Sequence, residues 1–185
     1  MKDEIRAALG ARQKMAIPSQ DGYAHAGVLL LHYQKAGADH ILFTKRTSRV
    51  EHHKGEISFP GGARDPEDGS ILATALRETA EELGVRAPDV EVLGELDDIS
   101  TLSSRFIISP FVGTIPHSYG FRPSAIEIAE VLEVPVATLR DPAHVRVDFP
   151  VRGGSYPTLA YLYGENVIWG ATARILKQFL DLVYG

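Results

Sequence analysis

The strongest constraint on the fold is residues 70–83, SILATALRETAEEL, a stretch closed off at both ends. Pro60, Gly61 and Gly62 break the chain upstream, Asp68 or Ser70 can cap a helix start, and Gly84 supplies the residue after the last turn. The pattern predicts a helix over 70–83. That helix carries Glu78, Glu81 and Glu82, and like charges at helical spacing weaken an isolated helix by about 0.2–0.5 kcal/mol per pair. On a wheel of about 100° per residue, Leu72, Leu76, Ala80 and Leu83 share one face and the three glutamates lie opposite. A solvated face explains this pattern, and so does a site for a hard cation. Glutamates at i, i+3 and i+4 converge from consecutive turns, and Mg²⁺ takes one or two carboxylates plus substrate phosphate. Arg77 adjoins the three and can hold a carboxylate in place.

Around this helix the apolar pattern is mostly that of strands. Residues 24–33 and 40–46 read as a hairpin pair joined through KAGAD, and 56–60 as a short strand stopped by Pro60. Further strands are expected near 91–96, 106–115, 127–134, 144–150 and 157–163. Helices are expected at 3–15, 135–140 and 168–183. Strands interrupted by two main helices predict an α/β (α+β) fold, a mixed sheet with a helix on each face, in a single domain over 1–185.

Composition narrows the function. The chain has no cysteine, which excludes disulfides, thiolate metal sites and a cysteine nucleophile and favours a reducing, cytoplasmic setting. No apolar run reaches the ~18 residues of a membrane span, and no signal-peptide pattern opens the chain. The net charge of −5 argues against nucleic acid as a partner. It also means that an anionic small-molecule substrate needs local help from a metal or basic patch. A homodimer is compatible with the sequence. RGGSYP (152–157) lacks the Lys-Ser/Thr tail of a phosphate-binding loop, and no serine sits in a nucleophile elbow.

RETAEELGV (77–85) resembles the second half of the Nudix box: Arg77, Glu78, Glu81, Glu82, Gly84 and Val85 match, with Thr79 where an aliphatic is usual. The box region spans 61–85. Its front half is one residue longer than the pattern, so the upstream glutamate position falls on Gly69, beside Asp68. LFTKRTSRVEHHKGEISFPGG (42–62) is similar to the signature of the coenzyme A pyrophosphatase branch through Leu42, Thr44, Arg46, Gly55 and Phe59–Gly62. The longer loop with Asp65, Pro66 and Asp68, and the segments 103–113 and 168–176, are also similar to that branch. Two positions depart: Thr47 replaces Ser/Ala, and Glu51 stands where the signature has arginine, with Arg49 two residues away.

The resemblance implies a metal-dependent diphosphatase acting on a nucleoside diphosphate-linked substrate. Coenzyme A would give 3′,5′-ADP and 4′-phosphopantetheine. It implies Mg²⁺ or Mn²⁺ on Glu78, Glu81 and Glu82, with Arg77 orienting them and Glu81 or Glu127 as general base. Substrate is assigned to Arg46, Lys54, Gly61 and Gly62. Glu130 lies in the same segment as Glu127. His52 and His53 adjoin on an extended stretch and point opposite ways, so they are not read as a metal pair. Trp169 and Gly170 read as packing at a helix start, and Phe59 and Pro60 as shaping the loop. Two alternatives stand beside this reading: a pyrophosphatase for ADP-ribose or NADH, which Glu51 supports, and a non-catalytic nucleotide sensor.

Overall fold

The computed structural model describes residues 1–47, 55–116, 118–150 and 157–185. Arg49, Glu51, His52, His53 and Lys54 lie outside the described residues, as do 151–156. The first half runs α1 (Lys2–Gly10), β1 (Ala24–Lys35), β2 (Ala38–Arg46), β3 (Ile57–Ser58), β4 (Gly61–Ala63) and α2 (Ile71–Leu83). There follow β5 (Glu91–Glu95), β6 (Ile99–Thr101), β7 (Phe106–Thr114), β8 (Ile128–Pro135) and α3 (Val136–Arg140). The chain closes with β9 (Val145–Phe149), β10 (Thr158–Tyr163), β11 (Asn166–Trp169) and α4 (Gly170–Tyr184).

The main sheet is mixed. β1 lies parallel to β7, with Ala24 opposite Phe106 and His32 opposite Thr114, while β2, β4, β5, β6 and β8 join it antiparallel. β1 and β2 form a tight hairpin through Ala36 and Gly37, both at positive φ, as a two-residue turn requires. Away from that turn they part: β1 pairs with β4 at 26–28, and β2 pairs with β3 at 44–45. The β3–β4 segment thus fills a fork between β1 and β2.

Side chains of β1 alternate between two cores, as the pleat dictates. Leu29 and Leu31 pack with Ala75 and Leu83 of α2. Leu30 packs on the other face with Ile5 and Leu9 of α1 and with Leu176 and Phe179 of α4. Helices therefore cover both faces of a mixed sheet, the α/β/α sandwich expected from the sequence. The second sheet, β11-β10-β9, was not expected as a separate layer. α1 is also shorter than expected. Beyond it the chain runs along β5, where Arg12 pairs with Asp97 and Lys14 Nζ with Glu95 Oε2 at 2.9 Å. Among the described residues, no helix is long and apolar enough to cross a membrane.

Candidate active site

α2 is fixed at both ends by local chemistry. Ser70 Oγ accepts from the Ala73 amide at 3.1 Å, which satisfies one of the orphan donors of the first turn. Gly84 closes the helix at φ 70°, its N–H bonded to Ala80 O at 2.8 Å, a backbone that glycine adopts without strain. The wheel is corrected on one point. The buried arc holds Thr74, Ala75, Thr79, Glu82 and Leu83, so Glu82 faces the sheet rather than solvent. Thr79, the box's odd residue, is fully buried and donates its hydroxyl to Ala75 O at 2.6 Å. That bond lets a polar side chain sit where an aliphatic is usual.

Arg77 is the hub of the carboxylates. Its Nε and Nη2 donate to Asp68 Oδ1 and Oδ2, both at 3.0 Å. Its Nη1 donates to Glu78 Oε1 at 2.8 Å and to Glu81 Oε2 at 3.1 Å. Asp68 Oδ2 also accepts from the Asp65 amide at 2.9 Å and the Thr74 hydroxyl at 2.8 Å. This many donors hold the Asp68 carboxyl well below the usual carboxylate range, the Arg77 guanidinium first among them. The acidic residue of the lengthened loop therefore serves as a clamp behind Arg77. That role escaped the sequence reading, which offered Asp68 as a helix cap or as the neighbour of a displaced box glutamate. The surplus of donors is visible only once loop and helix are folded together.

Glu82 is 2% exposed. Burial pushes its carboxyl up to about 8, and the charges of Glu78 and Glu127 act in the same direction. The Gly61 amide, donating to Oε2 at 3.2 Å, and Arg46, with Nη1 3.8 Å from Oε1, oppose that shift. The Glu78 carboxyl is raised chiefly by burial too, against the pull of Arg77. Glu127 is brought to the same place by its backbone. Its carbonyl accepts from Thr47 N at 2.8 Å, the Thr47 hydroxyl bonds Ile126 O at 2.7 Å, and Ser124 N bonds Glu82 O at 2.8 Å. Thr47, a departure from the branch signature, thus ties β2 to the Glu127 segment.

The structure brings together Arg77, Glu78, Glu81, Glu82, Asp68, Arg46, Gly61 and Gly62. Glu127 joins them through the charge it exerts on Glu78 and Glu82. Glu81 is the outermost, its side chain 57% exposed. Two charged neighbours of these residues are engaged elsewhere: Lys45 Nζ donates to Asn166 Oδ1 at 2.9 Å, and Glu130 lies 3.9 Å from that same Lys45. Lys54 lies outside the described residues. Gly62 is needed for space: a Cβ there would stand 2.6 Å from the Glu78 carboxyl carbon. Because the obstacle is the end of a flexible side chain, Gly62→Ala is expected to fold normally but to displace Glu78. Metal affinity or activity should fall about 10- to 100-fold; a metal titration giving the native affinity would show that Glu78 need not stay where it is.

Among the described residues, no three His, Cys, Asp or Glu side chains are already drawn into a coordination shell. The donor chemistry nonetheless fits Mg²⁺ or Mn²⁺. The donors are hard carboxylate oxygens, and the neighbouring charges of Glu81 and Glu127 on Glu78, and of Glu78 and Glu127 on Glu82, raise the cost of ionising those two groups, a cost that a cation offsets. Without metal, the proton on folded Glu82 leaves near pH 8, while the unfolded residue loses its proton near 4.5. The folded state then holds the extra proton, so stability falls as pH rises between those values. Burial lowers His32, which has the opposite effect below about 6.5, so the clear window is pH 6.5–8. There the chelated protein is expected to lose about 1–2 kcal/mol, a Tm drop of roughly 3–7 °C. Calorimetry showing a flat or rising Tm would mean that Glu82 is already ionised.

With the geometry described, comparison places this chain among known proteins. A family model described as NUDIX domain matches residues 24–141. The uncharacterized Nudix hydrolase NudL of Photorhabdus laumondii is 35% identical over 164 residues, 88% of this chain and 87% of that protein. NudL of Yersinia enterocolitica is 35% identical over 144 residues, 77% of this chain and 73% of its own. Among solved structures, a NUDIX hydrolase from Alicyclobacillus acidocaldarius aligns at TM-score 0.61 and 17% identity, over 90% of this chain and 94% of that one. A MutT/nudix family protein from Enterococcus faecalis aligns at TM-score 0.62 and 14% identity, over 93% and 65%. Both structures support the fold.

Proposed function

The chain belongs to the Nudix family, hydrolases that act on pyrophosphate bonds in nucleoside diphosphate-linked substrates, and from that premise we propose that it cleaves the diphosphate of coenzyme A or its derivatives in the cytoplasm. The observation that carries the site assignment is the crowding of carboxylates around Glu82, whose proton affinity the charges of Glu78 and Glu127 help to raise, beside an arginine that can receive phosphate. Among the described residues the buried Nε–H of Arg46 has no acceptor, and guanidinium donors suit phosphate oxygens. The likeness of residues 42–62 and of the Asp68 loop to the coenzyme A branch supports the choice of substrate.

In this reading Glu78, Glu81 and Glu82 hold Mg²⁺ or Mn²⁺. A divalent ion there supplies neutralisation of the diphosphate oxygens and a more acidic water. Arg77, anchored by Asp68, fixes the Glu78 and Glu81 carboxylates. Arg46 binds and orients the diphosphate. Glu127 takes the proton from the attacking water, with Glu81 the alternative base. The water oxygen bonds to phosphorus and the bond to the bridging oxygen breaks, leaving two phosphate monoesters.

The test is chromatography of products after incubation with Mg²⁺ and, separately, coenzyme A, ADP-ribose and NADH. Release of 3′,5′-ADP and 4′-phosphopantetheine as the fastest reaction is the expected result. Faster cleavage of ADP-ribose or NADH would reassign the substrate, the direction in which Glu51 points. Nucleotide binding without cleavage under either metal would leave a sensor module.

A further inference from the structure

Beside the carboxylates, and sharing Arg46 and Gly61 with them, lies a cleft of about 280 Å³. It sits between β3, the β6–β7 turn and the start of α4. Ligand pockets commonly span roughly 300–1,000 Å³, so this one suits a single ring system rather than a whole dinucleotide. Ile57, Phe59 and Trp169 give it apolar lining, and Ser103 and Thr172 contribute hydroxyl-bearing side chains; the Thr101 hydroxyl, also in the lining, is taken up by Ser104 and Phe106 in the turn. Trp169 ends β11 half-buried, and Gly170 follows at φ 65°, turning the chain sharply into α4. Phe59 is already committed to the core, stacked on Phe43 with ring centroids 4.9 Å apart. Trp169, half-buried and in the lining, is therefore the wall residue with ring surface to offer a ligand.

We propose that this cleft receives the purine ring of the nucleotide and that Trp169 binds that ring by stacking. The proposal rests on the diphosphate reading only in its polarity: Arg46, common to both sites, takes the phosphates and leaves the ring on the Trp169 side. A flat heteroaromatic group matches the wall in shape, and its ring nitrogens and amino groups match neutral hydroxyls. Stacking tolerates different bases, and the hydroxyl edge adds the discrimination.

The chain contains one tryptophan and seven tyrosines, so tryptophan emission excited to the red of tyrosine absorption reports on this position alone. Metal-free native protein would be titrated with AMP and, separately, with ribose 5-phosphate, which keeps the sugar and phosphate but lacks the ring. AMP is expected to quench the emission saturably, and ribose 5-phosphate to bind roughly 5- to 100-fold more weakly without quenching. By calorimetry, Trp169→Leu should weaken AMP by a similar factor and leave ribose 5-phosphate unchanged. Trp169→Tyr should restore most of the loss, and it also serves if the leucine variant fails to fold. Equal quenching by both ligands, no response to AMP, or unaltered AMP affinity in Trp169→Leu overturns the proposal. The two readings fail separately. If AMP quenches but no diphosphate is cleaved, the cleft stands and the hydrolase assignment falls. Cleavage with Trp169 silent to AMP has the reverse meaning.

Discussion

Glu82→Gln is expected to lower metal-dependent turnover by about 10³-fold, the rate equivalent of several kcal/mol of charge stabilisation, while making the metal-free protein more stable at alkaline pH. Both effects come from one atom group. Glu82 is buried against the sheet and near Glu78 and Glu127, and its carboxyl is pushed up to about 8. Ionising it costs the folded state what a cation would return. Glutamine keeps an oxygen to accept from the Gly61 amide, but it has no charge to desolvate and none to offer a metal. Above pH 8 the gain is on the order of a few kcal/mol, and the fall in Tm between pH 6.5 and 8 should disappear. Denaturant unfolding in chelator at pH 6 and pH 9, run beside a rate assay in Mg²⁺, reads both. A variant that is slow but no more stable at pH 9 would mean that the strain lies elsewhere. A variant that turns over normally would remove Glu82 from the metal site.

Asp68→Asn should lower apparent metal affinity and kcat about 10- to 100-fold, although Asp68 bonds none of the three glutamates. Residues that hold ligands from behind typically have effects of this size. The carboxylate takes Arg77 Nε and Nη2, the Asp65 amide and the Thr74 hydroxyl. An amide presents an NH₂ to at least one of these donors, so the clamp cannot be rebuilt. Arg77, freed from Asp68, would swing with Glu78 and Glu81 and compete with a metal for them. Titration of Mg²⁺ against rate, with calorimetry for binding, separates this outcome from simple loss of fold. Native metal dependence in a folded Asp68→Asn protein would reduce the clamp to a loop staple.

The cap, the stop and the glutamates of α2 were legible because each depends on neighbours within a turn or two. Which glutamate is buried was not. The wheel equates apolar with buried, and by that rule Leu72 and Leu76 should lie innermost; instead Thr74, Thr79 and Glu82 do. A polar face can be accommodated here because Gly62 of β4 has no side chain to exclude the Glu78 carboxylate and the Gly61 amide donates to Glu82. β4 itself has no alternating pattern to find. The second sheet was missed as a layer for related reasons: β9 is largely exposed, and the four residues of β11 run straight into α4, so their apolar character reads as helix. The charge of Lys45 is visible in the sequence, whereas its partner Asn166 is set by tertiary contact. Arg46, one residue later on β2, points the other way and reaches Glu82.

The pairing of β1 with β7 and of β2 with β8 joins segments far apart in the chain, and such contacts close late in folding. The β2–β8 pairing holds Arg46 beside the segment of Glu127 where both face α2. A divalent ion bound at this site would find no partner in the unfolded chain and little in the transition state. Saturating Mg²⁺ should therefore leave the refolding rate nearly unchanged and slow unfolding by most of its full stabilisation. The ion would then set how long each folded molecule persists, with no influence on how quickly the chain first arrives there.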